Sequence, residues 1–468
     1  MKIVTKLIHA RKIASMTTLL GLSSIGLNAL AINGVYDYGM GQINRGMGGA
    51  GTAMPADAFA TVINPAGLGE VKHNFDAGAA VYFPLMYSKF SEGTASGLPD
   101  VRPIAGAPGK FDSKMHVFFM PDLAYLFHMD KNNHFGLSAN AIGGFGTKYQ
   151  TKRFASVVNT PVPVGTTISQ GLLGDGTVYS SLKIGSLNAS YNYVVDQFFS
   201  VGLTLSYYVQ AFESKGAQGL AAFTTRALQN DGNTALINKL SNNGNDYNQG
   251  VGITFGALIK PYRNLTLAFT GTPTVKMSKM KDYKDLFPNK GELDIPGKYV
   301  AAARYQASDR LDLVFDAVRI LNREVDVYGN NSRALFDGRC VSVSPNFNSE
   351  QCVGGKDGVG FGWSNQTLLK VGGAYKLSSR DTVRLGVSYG NRIAHSKDIL
   401  INILAPGAAA KWITSAGYSR KMNNYNLNSF LTVIPKQSMD GQNELSAGSA
   451  QKIKFEVAGV GFGLGISM

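Results

Sequence analysis

Residues 199–207 read Phe-Ser-Val-Gly-Leu-Thr-Leu-Ser-Tyr, and this strict alternation of apolar with small or polar side chains decides the fold. A period of two places the apolar set on one face of a β-strand and the small or polar set on the other. Residues 383–389, Val-Arg-Leu-Gly-Val-Ser-Tyr, repeat the pattern. Strands of this kind are typical of a sheet whose two faces meet different environments.

Fourteen such segments follow one another from residue 75 onward, and long and short connections alternate between them. The segments are 75–87, 115–127, 133–146, 177–194, 197–212, 247–260, 263–278, 297–306, 310–322, 365–377, 380–393, 408–420, 425–434 and 452–466. Short turns on one side and long loops on the other are typical of transmembrane barrels, in which a closed sheet satisfies every backbone hydrogen bond. The sequence therefore predicts an all-β chain with a 14-stranded antiparallel transmembrane β-barrel over residues 75–468.

The composition agrees with a membrane barrel and excludes other classes. Gly supplies 55 of 468 residues, well above the usual share of roughly 7%. Charged residues make up 16% of the chain and aromatic residues 10%, which excludes a disordered chain. A soluble β-sandwich is the alternative fold, but it would not sort its loops into a long set and a short set.

The first 31 residues have the features of an export signal. Basic residues between Lys2 and Lys12 precede an apolar stretch, and Ala29-Leu30-Ala31 forms a small-x-small cleavage site. We expect a cleaved signal peptide over 1–31, with an N-terminal membrane anchor as the alternative. Cys340 and Cys352 both lie in the exported part, where disulfides persist, so we expect them to be bridged.

Residues 32–74 do not alternate and are rich in Gly and Ala. The run Gly-Met-Gly-Gly-Ala-Gly at 46–51 matches the glycine pattern of dinucleotide-binding loops, but no apolar strand precedes it and no βαβ unit follows, so that interpretation is rejected. Small residues in an irregular segment indicate close packing, and a fourteen-stranded barrel has a wide interior. We expect this segment in the lumen, against the bare glycine face of strand residues 459–465.

Three short stretches in this segment resemble the N-terminal hatch of FadL-type outer-membrane transporters. They are Arg-Gly-Met-Gly-Gly-Ala-Gly at 45–51, Ala-Asp-Ala at 56–58 and Asn-Pro-Ala-Gly at 64–67. The resemblance implies a plug over 32–74 and the passive uptake of hydrophobic compounds, most of all long-chain fatty acids, across the outer membrane of a Gram-negative bacterium. The hatch-motif residues it implies are Arg45, Gly46, Asp57, Asn64, Pro65 and Ala66.

The resemblance also implies that a ligand leaves sideways through a gap in the barrel wall. Gly143 and Gly144, in segment 133–146, are the candidates for this lateral opening because paired glycines support a β-bulge that breaks a ladder. Ordinary strand glycines are the alternative interpretation.

Cations on the inner face of the wall are candidates for binding a carboxylate head group. A cation at mid-membrane on the lipid face would cost about 2–4 kcal/mol, so the strand phase favours an inward orientation. The candidate ligand-binding residues are Lys298, Arg304, Lys370 and Arg384. They can bind a carboxylate by charge-assisted hydrogen bonds or pair with acids such as Asp312 and Asp316, and both interpretations stay open.

No catalytic motif, metal-ligand spacing or cofactor signature stands out, so we expect neither an enzyme nor a metal or cofactor site. The expected partners are a fatty acid or another hydrophobic small molecule, lipopolysaccharide and outer-membrane lipid. Nucleic acid is not expected, because the chain is exported and its cations are scattered. We expect a monomer. A general polar porin and a surface adhesin or structural barrel are the alternative functions.

Overall fold

The computed structural model describes residues 33–91, 109–151, 161–162, 166–167, 176–335, 337–340, 344–442 and 451–468. Fourteen antiparallel strands pair in sequence order, and the last pairs with the first from Asp76↔Ser467 to Phe90↔Ile453. The predicted barrel is confirmed. The predicted signal peptide over 1–31 lies outside the described residues.

Each predicted segment overlaps one strand of the barrel, although several predicted ends differ from the observed ones. The strands are β1 (Phe75–Phe90), β2 (Phe118–His128), β3 (Asn133–Thr151), β4 (Gly176–Val194), β5 (Phe199–Lys215), β6 (Asp246–Tyr262), β7 (Leu265–Thr272), β8 (Lys298–Ser308), β9 (Leu311–Ile320), β10 (Gln366–Lys376), β11 (Asp381–Gly390), β12 (Trp412–Lys421), β13 (Asn426–Gln442) and β14 (Lys452–Ser467). A short strand, Gly109–Asp112, adds to the upper part of β1, and Pro161–Val162 pairs with Thr166–Thr167.

The alternation sorts side chains between the two faces of the wall as the period of two requires. In β5, Val201, Leu203 and Leu205 are exposed on the outside, whereas Ser200 and Thr204 are buried in the lumen. None of the helices within the described ranges is long and apolar enough to cross a membrane.

Short turns close the strand pairs at one end of the barrel, and aspartates stabilise two of them. The Asp130 carboxylate accepts hydrogen bonds from the backbone N–H groups of Asn132 and Asn133, each at 2.8 Å. Asp196 accepts two equivalent bonds, from the N–H groups of Phe198 and Phe199. Such Asx turns fix a tight reversal without help from packing.

Residues 33–74, the N-terminal segment, contact the inner face of the wall. The segment contains the short helices Gly41–Arg45 and Ala60–Ile63 and the 3₁₀ helix Pro65–Glu70. Wall glycines make room for it, since a Cβ on Gly202 would lie 2.2 Å from the carbonyl carbon of Pro65, and one on Gly386 2.0 Å from that of Met47.

The long loops fold over the opposite end of the barrel. Their helices are Gln218–Phe223, Thr225–Leu228, Thr234–Leu236, Pro288–Gly291, Asn322–Glu324, Asp326–Gly329, Arg333–Leu335, Ser349–Gln351, Ser396–Asp398, Ile399–Asn402 and Pro406–Ala409. The predicted bridge between Cys340 and Cys352 is present, and it closes part of the loop formed by residues 321–365.

Candidate functional site

An apolar pocket of about 80 Å³ lies among the long loops. Residues from five separate parts of the chain line it, and Ser180, Phe212, Phe287, Phe361 and Leu404 represent them. The rings of Phe212 and Phe287 pack edge to face with centroids 4.7 Å apart. The apolar residues of 213–246 are the one weak signal for this pocket in the sequence, because the remaining walls come from loops far apart along the chain.

The loop that carries the disulfide supplies one side of this outer pocket. Its contributions include Val327, Leu335, Val353 and Val359. Behind them Tyr328 stacks on Trp363 with ring centroids 5.0 Å apart, and the Trp363 N–H donates a 2.6 Å hydrogen bond to Asn402. Packing, a covalent bridge and buried hydrogen bonds therefore hold this side of the pocket in shape.

A second cavity, of about 90 Å³, lies deeper, between the N-terminal segment and the wall. Its lining is mixed: Tyr36 and Ile63 come from the segment, and Thr254, Thr270 and Lys298 from the wall. Lys370 and Asp316 also reach this inner cavity. Two of the four predicted cations therefore meet in one place.

Lys370 and Asp316 hold the N-terminal segment. The Lys370 ammonium donates hydrogen bonds to the carbonyl oxygens of Tyr38, at 2.7 Å, and Gly49, at 3.2 Å. The Asp316 carboxylate accepts bonds from the backbone N–H groups of Gly51 and Thr52 and from the Thr52 hydroxyl. Hydrogen bonds from the segment thus compensate both charges for their removal from water, as buried charges require.

Arg304 and Arg384 lie toward the short-turn ends of their strands, apart from the inner cavity. Arg304 forms a two-pronged ion pair with Asp312, with Nε and Nη2 at 2.9 and 2.7 Å from Oδ1. Arg384 donates a 2.6 Å hydrogen bond to the Ser419 hydroxyl and attracts Asp57, whose pKa is raised by burial. Pairing with an acid, the alternative considered above, therefore describes Arg304, whereas no carboxylate among the described residues lies within ion-pair distance of Arg384.

Lys298 differs from the other three cations because none of the described residues accepts a hydrogen bond from its ammonium. Its ammonium lies 4.8 Å from the ring centroid of Tyr36, over the aromatic face. Among the residues that the structure describes, no carboxylate lies within ion-pair distance of Lys298. A luminal ammonium that lines a cavity without an anionic partner can bind an incoming carboxylate.

The hatch-motif residues all contact the wall or fix the local backbone. Asn64 caps the 3₁₀ helix that Pro65 begins, since its Oδ1 accepts the N–H of Ala66 at 3.1 Å. The Ala66 carbonyl accepts hydrogen bonds from Ser200 and Asn192 of the wall. A Cβ on Gly46 would lie 2.8 Å from the Cα of Gly417 in β12.

Arg45 is the most enclosed of these residues, with no exposed surface. Its guanidinium pairs with Asp37 at 3.0 Å in the segment and with Asp122 at 2.5 Å in β2. Tyr82 donates a further hydrogen bond to Asp37. Arg45 therefore links the segment to the wall through charges that are all removed from solvent.

The ladder between β2 and β3 ends at this buried cluster. It runs from His128↔His134 only as far as Asp122↔Asn140. Farther along β3, the backbone pairs with the segment instead: Asp37 N–H donates to Ile142 at 3.0 Å, and Gly144 N–H to Val35 at 2.9 Å.

A bulge marks the place where β3 changes partner. The register against β4 shifts between Ala141 and Gly143, and Gly143 and Gly144 have φ angles of +155° and +135°. Such φ values favour glycine. The wall therefore has a break beside the inner cavity, covered by residues 35–37.

Comparisons with solved structures agree with this architecture. The chain is similar to a FadL homologue from Pseudomonas aeruginosa, with 15% identity, a TM-score of 0.62, and coverage of 93% of this chain and 99% of that one. It is also similar to the toluene transporter TodX from Pseudomonas putida, with 14% identity, a TM-score of 0.59, and coverage of 92% of this chain and 98% of that one. For the toluene transporter TbuX from Ralstonia pickettii the identity is 14%, the TM-score is 0.52, and the coverage is 91% of this chain and 98% of that one.

Sequence comparisons give no match: no protein-family model and no curated protein matches the chain. At 13–15% identity the likeness to solved structures rests on the fold. The chain has the fold of the FadL-type outer-membrane channels, a fourteen-stranded barrel whose N-terminal segment contacts the inner wall.

Proposed function

We propose that the protein is an outer-membrane channel for the passive uptake of hydrophobic compounds that carry a carboxylate, above all long-chain fatty acids. The observation that carries this proposal is Lys298, an ammonium without an anionic partner among the described residues, which lines the inner cavity. The apolar outer pocket would take the hydrocarbon first. The similarity of the fold to those of two toluene transporters supports hydrophobic uptake in general.

The path we propose runs from the outer pocket to the inner cavity and then sideways. Residues 32–74 act as the hatch that closes the way straight through the barrel. The break between β2 and β3 at Gly143 and Gly144 is the lateral opening, which a small movement of residues 35–37 would uncover. The protein would act as a monomer, because each barrel has its own path.

Replacing Lys298 with Met should weaken the binding of a long-chain fatty acid about tenfold or more. A hydrogen bond to a charged group contributes about 1.5–3 kcal/mol, and 1.4 kcal/mol corresponds to a factor of ten. Binding of the primary alcohol with the same chain should change little. Isothermal titration in detergent measures both ligands, and Lys298→Arg is the control that keeps the charge.

An equal loss for the acid and the alcohol would contradict the carboxylate role of Lys298. Toluene is the informative third ligand, because the phenylalanine rings of the outer pocket would also suit an aromatic hydrocarbon. Tight toluene binding with no preference for the acid would favour an aromatic-hydrocarbon channel. Rapid swelling of liposomes in small sugars would favour a polar porin.

Replacing Gly144 with Ala should slow fatty-acid uptake about tenfold while binding persists. A Cβ at this position would lie 2.0 Å from the Leu182 carbonyl oxygen, and φ is +135°, so the bulge must change shape. Gly185→Ala is the matched control, because Gly185 lies across the ladder from Ala141 and its Cβ would meet only an ordinary contact at 3.7 Å. Uptake is measured in cells with equal amounts of heat-modifiable barrel, and equal uptake by both variants would contradict the lateral path.

A further inference from the structure

Three lysines lie side by side on the outer surface of the barrel, near the seam where β1 meets β14. Lys89 of β1 is directly opposite Lys454 of β14 on one side and Lys110 of the short strand Gly109–Asp112 on the other. We call these three residues the lysine row. Like charges directly opposite one another destabilise a sheet, so the row needs a compensating anion.

The described residues supply that anion only in part. Lys110 pairs with Asp112 at 3.1 Å, and Lys454 pairs with Glu456 at 2.9 Å. Asp440 lies opposite Lys454 on the β13 side. Glu456 is shared, since Lys436 also reaches it at 2.6 Å. For Lys89, the central member, no carboxylate lies within ion-pair distance in the part of the chain that the structure describes.

The row faces the membrane and not the lumen. Lys89 shares its face of β1 with Phe83 and Leu85, which are 37% and 67% exposed. Lys454 shares its face of β14 with the exposed residues Val460 and Phe462. The surface below the row is therefore apolar, as expected for contact with acyl chains.

The height of the row matches the outer edge of the membrane. From Ala77 to Tyr87, β1 advances ten residues, which at about 3.4 Å per residue and a tilt of about 40° span about 25 Å, the height of the apolar band. Tyr87 lies at the level where aromatic girdles occur, and the ammonium of Lys110 lies 4.1 Å from its ring centroid. Lys89, the central member of the lysine row, is the next outward-facing residue of β1 after Tyr87, toward the end of the barrel that carries the long loops.

We propose that the lysine row binds the phosphates of lipid A, the phosphorylated glycolipid anchor of lipopolysaccharide. The partner must be anionic, must lie at head-group level and must offer acyl chains to the apolar surface below. At the long-loop end this describes a glycolipid of the outer leaflet, and lipid A carries more than one phosphate to bridge neighbouring ammonium groups. Clustered lysines beside a membrane bind such head groups.

The test replaces all three lysines, as Lys89→Gln/Lys110→Gln/Lys454→Gln, in the full-length protein purified from outer membranes in mild detergent. Mass spectrometry of the 3-hydroxy fatty acids measures the lipid A that copurifies, and we expect about a tenfold loss or more. The matched control, Arg310→Gln/Arg380→Gln/Lys421→Gln, removes three exposed cations at the short-turn end. It should keep the parent amount.

A second measurement separates phosphate binding from acyl-chain contact. Lipid A added to delipidated protein should raise the melting temperature of the parent, because a ligand that binds only the folded state stabilises it, whereas dephosphorylated lipid A should raise it less. For the variant that lacks the three lysines, lipid A and dephosphorylated lipid A should raise the melting temperature by the same amount. Without lipid it should melt no lower than the parent, since the repulsion is gone.

Equal lipid A on the row variant and the parent would overturn the proposal, as would an equal loss in the short-turn control. Should the triple variant fail to assemble, Lys89→Gln alone decides, because the Lys89 side chain has no ion-pair partner among the described residues to lose. We expect about a threefold loss for that variant, and an unchanged amount would overturn the proposal. Fatty-acid binding is a separate readout that none of these variants should alter.

Discussion

Deleting residues 35–60 should give a barrel that assembles, resists heat and conducts ions in planar bilayers at least about tenfold better than the parent. Each neighbouring pair of strands from β1 to β14 has its own ladder, so among the described backbone hydrogen bonds of the wall only those that Val35 and Asp37 make with β3 depend on the deleted residues. The deletion removes the partners of Lys370 and Asp316, and these freed charges would draw water into the lumen. Single-channel recording measures the conductance.

A deletion elsewhere shows whether the effect belongs to the segment. Residues 230–233 form the exposed tip of an outer loop, and removing them should leave the conductance at the parent level. If the 35–60 deletion assembles normally yet conducts no more than the parent, residues 32–74 are not the plug. Failure of both deletions to assemble would contradict the view that the wall is stable by itself.

The period of two predicted the barrel because lipid and lumen select opposite side chains on alternate residues. The same pattern ended β13 too early, at residue 434, although the strand continues to Gln442. Pro435 cannot donate a ladder hydrogen bond, and the register shifts between Ile434 and Gln437. The bulge reverses the phase of the alternation, so the second half of the strand no longer matched the first.

The start of β12 was misplaced for a related reason. The alternation predicts that the strand begins at residue 408, but Pro406–Ala409 forms a 3₁₀ helix and the strand begins at Trp412. Alanines carry little information about faces, because a side chain of one methyl group suits both environments. Proline at the first position of a helix was the available signal.

Strand phase predicts the inward orientation of the four wall cations, and Asp312, which pairs with Arg304, is one of the acids considered as partners, but the partners of Lys370 do not follow from the sequence. Lys370 binds the carbonyl of Tyr38, 332 residues away along the chain, and no local pattern specifies such a contact. The predicted glycine face at 459–465 receives the segment at Gly465, where a Cβ would lie 2.6 Å from Gln42 Oε1, but not along its whole length. Gly461 and Gly463 of β14 are covered by Tyr82 and Phe430 of neighbouring strands. A packed interface depends on three-dimensional neighbours that composition alone does not reveal.

Replacing Arg45 with Met should release the N-terminal segment from the wall. Removing one partner of a buried ion pair costs about 3–5 kcal/mol, because the remaining charges stay buried without compensation. Here Asp37 and Asp122 would both lose their partner, and both are shielded from solvent. The local equilibrium between docked and free segment should shift by a factor of about a hundred or more. Limited proteolysis within 33–74 and raised conductance should report it, while the barrel keeps its heat resistance.

Arg304→Met is the matched control for Arg45→Met, because Arg304 also pairs with an aspartate but its side chain is 26% exposed. Partly exposed pairs contribute about 1 kcal/mol or less, so proteolysis and conductance should stay near the parent values. Adding Asp37→Asn and Asp122→Asn to Arg45→Met should restore part of the docking, since neutral amides cost less to bury than unpaired carboxylates. If Arg45→Met leaves the segment as protected as in the parent, the charge cluster does not hold it. The hydrogen bonds of Lys370, Asp316 and Ala66 to the rest of the protein would then be sufficient to keep the segment in place.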